Sequence, residues 1–490
     1  MLQSAWFVVL ASALLPPAGL ILLWLRSGTR IKAKIMGSTL IAAWSVAYLI
    51  FFFGLRFPLD GSGMRPIPTF GSPESHYSQL ERNRTEKAAP VVVEAAATPE
   101  TSSGAATPAS AYWTDFRGPK RDGRYDQAPI RADWPAKGLP LLWRQPIGGG
   151  YASFVIAGGR AFTIEQRRRQ EVAAAYDMAT GRELWANAWD AEFQESMGGD
   201  GPRATPTWNE GRVYALGATG ELRCLDAASG KPIWSRNILK DNHAENLTWG
   251  MSAAPLIVDD KVIVLPGGPS GQSVAAYNKF SGEPVWKALD DKQAYTSPML
   301  VTLAGKRQIL VVSARRIMGL TVENGSVLWE YPWTTEYDVN SSQPIIVGEN
   351  RVFISAGYGH GSALLEIATG GVKQIWANNR MKNKFTSSVL HEGNIYGLDE
   401  AILACIHAET GELKWKGGRY GYGQVLLAGG NVVVTTETGD VVLVKATPES
   451  HQELARFRAV SGKTWNHPAI SDGLLLVRNE TEMACFRIGR

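Results

Sequence analysis

The amino-acid sequence predicts an all-β fold, an eight-bladed β-propeller, which follows a hairpin of two membrane-spanning helices. Three observations predict this arrangement. An eleven-residue motif ending in tryptophan recurs through the chain, and its tryptophans lie from 39 residues (376 to 415) to 52 residues (234 to 286) apart. The sequence between them has strand-like content, and two long apolar runs stand at the N-terminus. A period near 45 residues is typical of propellers, which have one four-stranded sheet per repeat.

The recurring motif reads A-x-D-x-x-T-G-x-x-x-W, as in AYDMATGRELW (175–185) and CLDAASGKPIW (224–234). Its aspartate and glycine predict a tight hairpin, because an Asp side chain caps a turn and Gly adopts a positive φ without strain. One copy, LEIATGGVKQIW (365–376), carries an extra residue between glycine and tryptophan. Each tryptophan is expected on an outer strand, where it covers apolar area of the next blade. The predicted blade-docking tryptophans are Trp143, Trp185, Trp234, Trp286, Trp329, Trp376 and Trp415.

The number of blades follows from the two ends of the repeat region. Seven blades begin near residues 151, 204, 253, 297, 342, 386 and 422. Trp143 has no blade in front of it, while 466–488 supplies three strands and lacks an outer one. Pairing Leu141–Arg144 with the C-terminal strands predicts an eighth blade, and this closure removes free sheet edges. A seven-bladed ring is the alternative. The seventh repeat ends on Phe457 in place of tryptophan.

These repeats resemble the docking motif of quinoprotein dehydrogenases, which use pyrroloquinoline quinone (PQQ), and of their non-enzymatic relatives. FRGP (116–119) and LLWRQPI (141–147) are similar to the lead-in of bacterial membrane-anchored PQQ-like propeller proteins. The resemblance covers most blades and implies a PQQ-like propeller over 112–490. The chain also looks like the propeller subunit of the outer-membrane β-barrel assembly machinery, although that subunit is lipid-anchored. One fold hosts many functions, so the resemblance implies the fold more strongly than an activity.

Residues 1–57 are predicted to form the membrane hairpin. The runs 5–25 and 35–55 are uncharged and long enough to cross a bilayer, and the loop between them carries four Lys or Arg residues. The positive-inside rule places that loop in the cytoplasm. The propeller is therefore expected in the periplasm of a bacterium, anchored to the inner (cytoplasmic) membrane. A cleaved signal peptide is the alternative for the first run, which lacks a basic region before it.

Residues 58–111 are predicted to be a disordered linker, because they are rich in Pro, Ala, Ser and Thr and show no lasting periodicity. Inside the propeller, QRRRQ (166–170) is predicted to be a solvated hairpin tip. The three cysteines, at 224, 405 and 485, occupy the same small apolar position of three different repeats, so they are predicted to be buried thiols. The net charge of +4 with 20% charged residues gives no case for a nucleic-acid partner.

Candidate binding residues lie just before the first strand of each blade, at one mouth of the central channel. Polar and aromatic side chains recur there and predict a pocket for a planar anionic ligand, with Arg203 and Lys384 as countercharges. The alternative is that these residues satisfy backbone groups and hold water at the channel mouth. The candidates are Arg203, Thr205, Trp249, Tyr295, Asn340, Lys384, Tyr422 and Trp465.

Two functions remain open from the sequence. The resemblance to PQQ dehydrogenases implies a Ca²⁺ ion held by carboxylate and amide oxygens and a carboxylate base, and many of these enzymes carry two adjacent cysteines. This chain has no adjacent cysteines, no acidic residue in a matching motif and no histidines at metal-ligand spacing. The favoured function is a membrane-tethered, non-catalytic scaffold that binds other envelope proteins, without a catalytic residue, metal or cofactor. The alternative is a PQQ- and Ca²⁺-dependent dehydrogenase that oxidises an alcohol or a sugar.

Overall fold

The computed structural model describes residues 4–57, 66, 68, 73–87, 112–368 and 370–489. The chain divides into two compact units, the first with residues 1–76 and 196–198 and the second with 77–195 and 199–490. The first unit contains the N-terminal helices α1 (Ala5–Leu14), α2 (Pro16–Leu25) and α3 (Ile31–Phe53). Of the helices described, α3 alone is long and apolar enough to cross a membrane.

The predicted span 5–25 is divided into two short helices at its proline pair. The chain leaves the helical conformation at Leu15 (φ −140°, ψ 77°), and Pro16 and Pro17 begin α2. A residue before proline is pushed out of the α region, and proline itself fits only the first turn of a helix. The predicted span 35–55 begins earlier, at Ile31, and ends at Gly54, whose positive φ of 62° terminates the helix.

The segment predicted to be a disordered linker contains a helix, α4 (Pro73–Lys87). Its residues from Tyr77 onward belong to the same compact unit as the propeller. The remainder of the predicted linker lies almost entirely outside the described residues. The composition of α4 is strongly polar, so the sequence offers no apolar stripe that would predict it.

The second unit is a propeller of eight sheets. In chain order its strands are β1 (Arg124–Tyr125), β2 (Leu141–Pro146), β3 (Val155–Ala157), β4 (Arg160–Arg167), β5 (Gln170–Asp177), β6 (Glu183–Asp190), β7 (Thr207–Asn209), β8 (Arg212–Leu216), β9 (Glu221–Asp226), β10 (Pro232–Asn237), β11 (Leu256–Val258), β12 (Lys261–Val264), β13 (Val274–Asn278), β14 (Pro284–Ala288), β15 (Met299–Leu303), β16 (Lys306–Val312), β17 (Arg316–Leu320), β18 (Val327–Pro332), β19 (Ile345–Val347), β20 (Arg351–Ala356), β21 (Gly361–Ala368), β22 (Gly371–Asn378), β23 (Val389–His391), β24 (Asn394–Asp399), β25 (Ile402–His407), β26 (Leu413–Arg419), β27 (Gln424–Ala428), β28 (Asn431–Thr435), β29 (Asp440–Lys445), β30 (Glu453–Arg458), β31 (Ala469–Ser471), β32 (Leu474–Arg478) and β33 (Glu482–Arg487). A short helix α5 (Ile238–Asp241) follows β10, and a 3₁₀ turn (Glu336–Asp338) follows β18.

Blades 1 to 7 each have four antiparallel strands in chain order from the innermost to the outermost. Blades 1 to 7 begin with β3, β7, β11, β15, β19, β23 and β27, and blade 7 also accepts β1 against its innermost strand. Blade 8 consists of β31, β32 and β33 with β2 outermost, so both ends of the second unit build it. Trp143 is the partner of Cys485 in this pairing. The prediction of eight blades is confirmed.

The structure of the recurring hairpin shows why its motif contains aspartate, threonine and glycine. The Asp177 carboxylate accepts hydrogen bonds from the Thr180 backbone N–H (2.9 Å) and hydroxyl (2.7 Å), which closes the turn. Gly181 has a φ of +70°, and a Cβ atom there would lie 2.5 Å from the Trp143 ring of the preceding blade. This position therefore requires glycine for two reasons. The turn needs a positive φ, and the docked indole leaves no room for a Cβ atom. The Trp143 indole N–H donates to the Met178 carbonyl at 2.9 Å.

The other docking tryptophans follow the same rule with one exception. Trp185, Trp234, Trp286, Trp376 and Trp415 donate to a hairpin carbonyl of the next blade at 2.8 to 3.2 Å. Trp329 instead donates to the Gln308 side chain of its own blade, and the hairpin of the next blade is the one whose sequence has the extra residue. Phe457 takes the tryptophan position of blade 7, where a Cβ atom on Gly138 would lie 2.4 Å from it.

Apolar clusters fill the spaces between neighbouring blades. The three cysteines are free, buried and divided among three such clusters. Burial raises the pKa of the Cys224 and Cys485 thiols to about 12, so these groups behave as small apolar side chains.

We expect Trp234→Ala to lower the free energy of unfolding by about 3 kcal/mol, because it removes an indole packed between blades 2 and 3. Ile233→Ala is the control on the same strand. Its side chain is 45% exposed, so we expect a loss of no more than about 0.5 kcal/mol. Chemical denaturation measures both. Equal losses would contradict the docking role of the tryptophan.

Candidate functional site

The central channel is filled by the segment that precedes β2. The Ile156 N–H of blade 1 donates to the Trp113 carbonyl at 2.7 Å, and the Trp208 N–H of blade 2 donates to the Thr114 carbonyl at 2.9 Å. Further along, β1 pairs in parallel with the innermost strand of blade 7. We call residues 113–125 the channel segment. A propeller channel is lined by the innermost strands, and here these strands bond to another part of the same chain.

Two buried arginines hold the channel segment in place. Arg117 is 3% exposed and donates to the Ser388 carbonyl at 2.8 Å and to the Val425 carbonyl at 3.3 Å, which belong to blades 6 and 7. Burial lowers the pKa of its guanidinium to about 10, which leaves it charged at neutral pH. A Cβ atom on Gly123 would lie 2.3 Å from this guanidinium, so that position must be glycine. Carbonyl oxygens thus compensate a buried cation.

Arg121 makes the corresponding contacts on the other side of the channel. It is 2% exposed, donates to the Ala254 carbonyl at 3.1 Å and the Pro298 carbonyl at 2.8 Å, and pairs with Asp115 at 3.0 Å. These carbonyls belong to the loops that enter blades 3 and 4. Between the two arginines, Pro119 and Lys120 are exposed. The tip of the channel segment therefore faces solvent, and its flanks are fixed by four blades.

The innermost strands all begin at one face of the propeller, which we call the front face. Ring contacts join side chains there: Phe385 lies 4.5 Å from Trp465 and 5.6 Å from Tyr422, and Trp465 lies 5.4 Å from Tyr151, between ring centroids. Each residue stands in the loop that leads into its blade, and the blades are 6, 7, 8 and 1. Aromatic side chains of four consecutive blades therefore share one surface.

Three cationic side chains lie over aromatic rings of the front face and make cation–π contacts with them. The distances to the nearest ring centroid are 4.6 Å for Lys384 (Tyr422), 4.6 Å for Lys463 (Trp465) and 4.7 Å for Arg203 (Phe193). Lys384 also lies 5.2 Å from Tyr358, which contacts the 69% exposed Tyr337. We call the whole set the front arc; its members are Tyr151, Phe193, Arg203, Tyr337, Tyr358, Lys384, Phe385, Tyr422, Lys463 and Trp465.

Carboxylates orient the rings of the front arc. Glu437 accepts from the Trp465 indole N–H at 3.0 Å, and Glu480 accepts from the Tyr151 hydroxyl at 2.5 Å. Glu400 accepts from the Tyr422 hydroxyl at 3.3 Å. Burial, together with Glu480, raises the pKa of Tyr151 well above its usual range, so this phenol stays a donor.

The predicted binding residues separate into three groups. Arg203, Lys384, Tyr422 and Trp465 belong to the front arc, and Trp249 lies 5.6 Å from Tyr295 in a separate ring pair between blades 3 and 4. Thr205 and Asn340 instead form hydrogen bonds between loops. The Thr205 hydroxyl accepts from the Ser153 N–H at 2.9 Å, and the Asn340 side chain donates to the Ser313 carbonyl at 2.9 Å. These two residues tie loops together, as the alternative interpretation of the channel mouth expects.

Sequence reasoning missed several members of the front arc. Phe385 follows Lys384 directly and Tyr151 opens blade 1, so the repeat phase that selected the other candidates could have found both. Tyr358 lies between the second and third strands of blade 5, a position that this phase does not include. Arg117 and Arg121 gave no signal, because arginine is rarely expected in the middle of a fold.

PQQ with Ca²⁺ would require a metal site and a carboxylate base among the described residues. Among them, no group of three or more His, Cys, Asp or Glu side chains could hold a metal ion. The carboxylates beside the front arc already accept hydrogen bonds from its own rings. Asp115, in the channel segment, is paired with Arg121. A base and an oxygen cage for calcium would need carboxylates with free lone pairs directed at one point.

Comparisons with known proteins give two kinds of relatives. An outer membrane protein assembly factor BamB from Burkholderia pseudomallei is 22% identical over 368 residues, 66% of this chain and 92% of that protein. A quinohemoprotein alcohol dehydrogenase from Comamonas testosteroni is 31% identical over 165 residues, but these cover 31% of this chain and 22% of that one. The full length of the first relative is therefore matched much better than that of the second.

Solved structures show the same fold. BamB from Moraxella catarrhalis superposes with a TM-score of 0.53 at 18% identity, over 71% of this chain and 99% of that chain. The Comamonas testosteroni quinohemoprotein alcohol dehydrogenase gives 0.60 at 15% identity, over 85% and 84%. The family described as outer membrane protein assembly factor BamB matches residues 168–417, just over half of the sequence. The chain belongs to this family of PQQ-like propeller proteins.

Proposed function

We propose that this protein is a membrane-tethered, non-catalytic scaffold in the assembly of outer-membrane proteins, and that it binds an envelope protein on its front arc. The observation that carries the proposal is the front arc itself, which joins Tyr, Trp, Phe, Lys and Arg side chains from several blades. Aromatic residues and arginine dominate the energetics of protein–protein interfaces. The family and the Burkholderia relative support the pathway, since that relative is named as an assembly factor.

Two features make the front arc suited to a protein partner. The channel segment fills the centre, so a ligand meets a broad surface whose deep part is already bonded. The backbone of Tyr337, Asp338 and Tyr358 is held at positive φ values between 56° and 63°. Such strained positions cluster at functional sites, because the surrounding structure must enforce them. Tyr337 is the most exposed ring of the arc.

The anchor follows from α3 and from the basic loop before it. The helix Ile31–Phe53 has the length and composition of a membrane span. With Arg26, Arg30, Lys32 and Lys34 on the cytoplasmic side, the propeller faces the periplasm from the inner membrane. We further propose that the protein works without PQQ or a metal ion, because the described donor set does not match one.

Complementation in the native host tests the proposal. We expect cells that lack the protein to hold less folded outer-membrane β-barrel protein, measured by heat-modifiable migration on gels. The pair Tyr337→Ala, Lys384→Ala should fail to restore it at normal protein levels. The control pair, Phe280→Ala and Lys306→Ala, changes an exposed ring and an exposed lysine on turns of the opposite face and should restore it fully.

Two results would contradict the proposal. The first is normal β-barrel assembly in cells without the protein, or full complementation by the front-arc variant. The second is oxidation of an alcohol or a sugar, followed with a dye acceptor, after the purified protein has been incubated with PQQ and Ca²⁺. That activity would make the protein a quinoprotein dehydrogenase.

A further inference from the structure

Helix α4 lies against the propeller where blade 8 meets blade 1. Tyr77, Leu80, Glu81 and Arg84 occupy positions i, i+3, i+4 and i+7, which form one face of a helix. Leu80 is 1% exposed, whereas its neighbour Gln79 is exposed to solvent. This spacing is the pattern by which a helix anchors itself in a groove.

Arg84 contacts both blades at once. Its guanidinium donates to the Pro146 carbonyl at the end of β2 (2.8 Å) and to the Tyr176 hydroxyl on β5 (3.2 Å). It also pairs with Glu183 at 3.2 Å, and the side chains of this pair are 11% and 17% exposed. Since β2 belongs to blade 8 and β5 to blade 1, one helical side chain spans the closing joint of the ring.

The tip of the β4–β5 hairpin completes the groove. Arg168 donates to both carboxylate oxygens of Glu81, at 2.7 and 2.9 Å. Arg167 is held against Glu183 and the fully buried Glu165. QRRRQ (166–170) does form a hairpin tip, but the prediction that it is solvated is wrong for Arg167, which is 17% exposed, whereas Arg168 remains 36% exposed beside Glu81. Tyr77 lies near the carboxylates of Glu480 and Asp200, and burial with these charges raises its pKa to about 12.

Helix α4 depends on this groove for its existence. It has fifteen residues and a polar sequence, PESHYSQLERNRTEK, with Leu80 as its one aliphatic side chain. Isolated helices of that length are marginal in water even when they are rich in alanine. Contacts along the Tyr77–Arg84 face therefore decide whether the segment is helical, and undocking would also unfold it.

We propose that the groove between blades 8 and 1 is a helix-binding site, which recognises Tyr, Leu, Glu and Arg at the first, fourth, fifth and eighth positions of a helix. Its ligand is the chain's own segment 73–87, which docks in cis as a reversible latch. Docked, the latch leaves fifteen residues between Phe57 and Pro73, which allow a distance of at most about 55 Å. Released, fifty-four residues separate Phe57 from Tyr112 and allow at most about 190 Å.

The first test measures hydrogen exchange of the full-length protein in detergent. Leu80→Asp places a charge at a buried position. We expect it to lower the hydrogen-exchange protection of amides 77–87 at least tenfold. Gln79→Asp introduces the same charge at the adjacent exposed position and should leave that protection unchanged. Arg84→Ala is a second releasing variant, in case Leu80→Asp disturbs the blades, whose protection serves as the folding control.

The second test adds a fluorescent peptide of residues 73–87 to the same proteins and follows its anisotropy. The released variants should bind the peptide, and the wild type and Gln79→Asp should bind it at least tenfold more weakly, because a tethered helix competes at a millimolar effective concentration. A peptide with Asp at position 80 should not bind. The proposal is overturned if 77–87 stays protected in both releasing variants, or if neither released variant binds the peptide.

Discussion

Arg121→Ala should lower the free energy of unfolding by about 3–5 kcal/mol, the range for breaking a buried ion pair. The substitution leaves the Asp115 carboxylate without its partner and removes the donor from the Ala254 and Pro298 carbonyls. Unsatisfied buried acceptors retain their full desolvation cost. Arg121→Lys should recover part of the loss, because one ammonium reaches fewer of these oxygens than the planar guanidinium does.

Lys120→Ala is the matched control for this substitution. Lys120 directly precedes Arg121 in the chain, carries the same charge and is exposed at the tip of the channel segment. We expect a change of no more than about 0.5 kcal/mol, measured by chemical denaturation of the full-length protein in detergent. A similar loss at both positions, or none at Arg121, would show that the channel segment does not hold the blades together.

Deletion of residues 466–490 should unfold the beginning of the propeller as well as its end. The truncated protein lacks β31, β32 and β33, so β2 has no strand to pair with. It also loses Arg478, which is fully buried and donates to the Gly148 carbonyl (2.9 Å) and the Thr163 hydroxyl (2.8 Å) of blade 1. We expect hydrogen-exchange protection of residues 139–147 to disappear.

Arg478→Ala is the milder companion to the deletion. It keeps every strand but removes the bonds that Arg478 makes from blade 8 to blade 1, so protection should fall at the joint while β2 stays paired. Blades 3 to 5 are distant from the joint and provide the internal reference in both proteins. Persistent protection of 139–147 after the deletion would mean that β2 does not depend on the C-terminal strands.

The sequence predicts well those features that depend on local chemistry repeated many times. The turn that Asp177 closes and the glycine covered by Trp143 recur in most blades, so one hairpin predicts the ring. The unpaired Trp143 at one end and the missing strand at the other predict the closed eighth blade. Trp329 departs from this pattern, and the sequence of the next hairpin also departs from the motif by one extra residue.

Features that depend on single long-range contacts are not visible in the sequence. Arg168 is followed by another arginine and looks solvated, and its partner Glu81 lies 87 residues away in a polar segment. Helix α4 has one buried leucine, which is not enough to give its sequence a periodic apolar pattern. Arg117 and Arg121 lie in the centre of the fold because carbonyls of several blades converge on them, and no local pattern encodes that convergence.

The position of the channel segment dictates when the protein can finish folding. Residues 113–125 are among the first of the propeller to be synthesised, yet their hydrogen-bond partners lie as far along the chain as Val425 and Leu427. Strand β2 can pair only later still, because its partner strand β33 ends at Arg487. Contacts of such large sequence separation form slowly, since the intervening loop must first be closed. The early segment therefore stays unpaired until nearly the whole chain has emerged, and a chaperone that shields the nascent chain would act on this stretch.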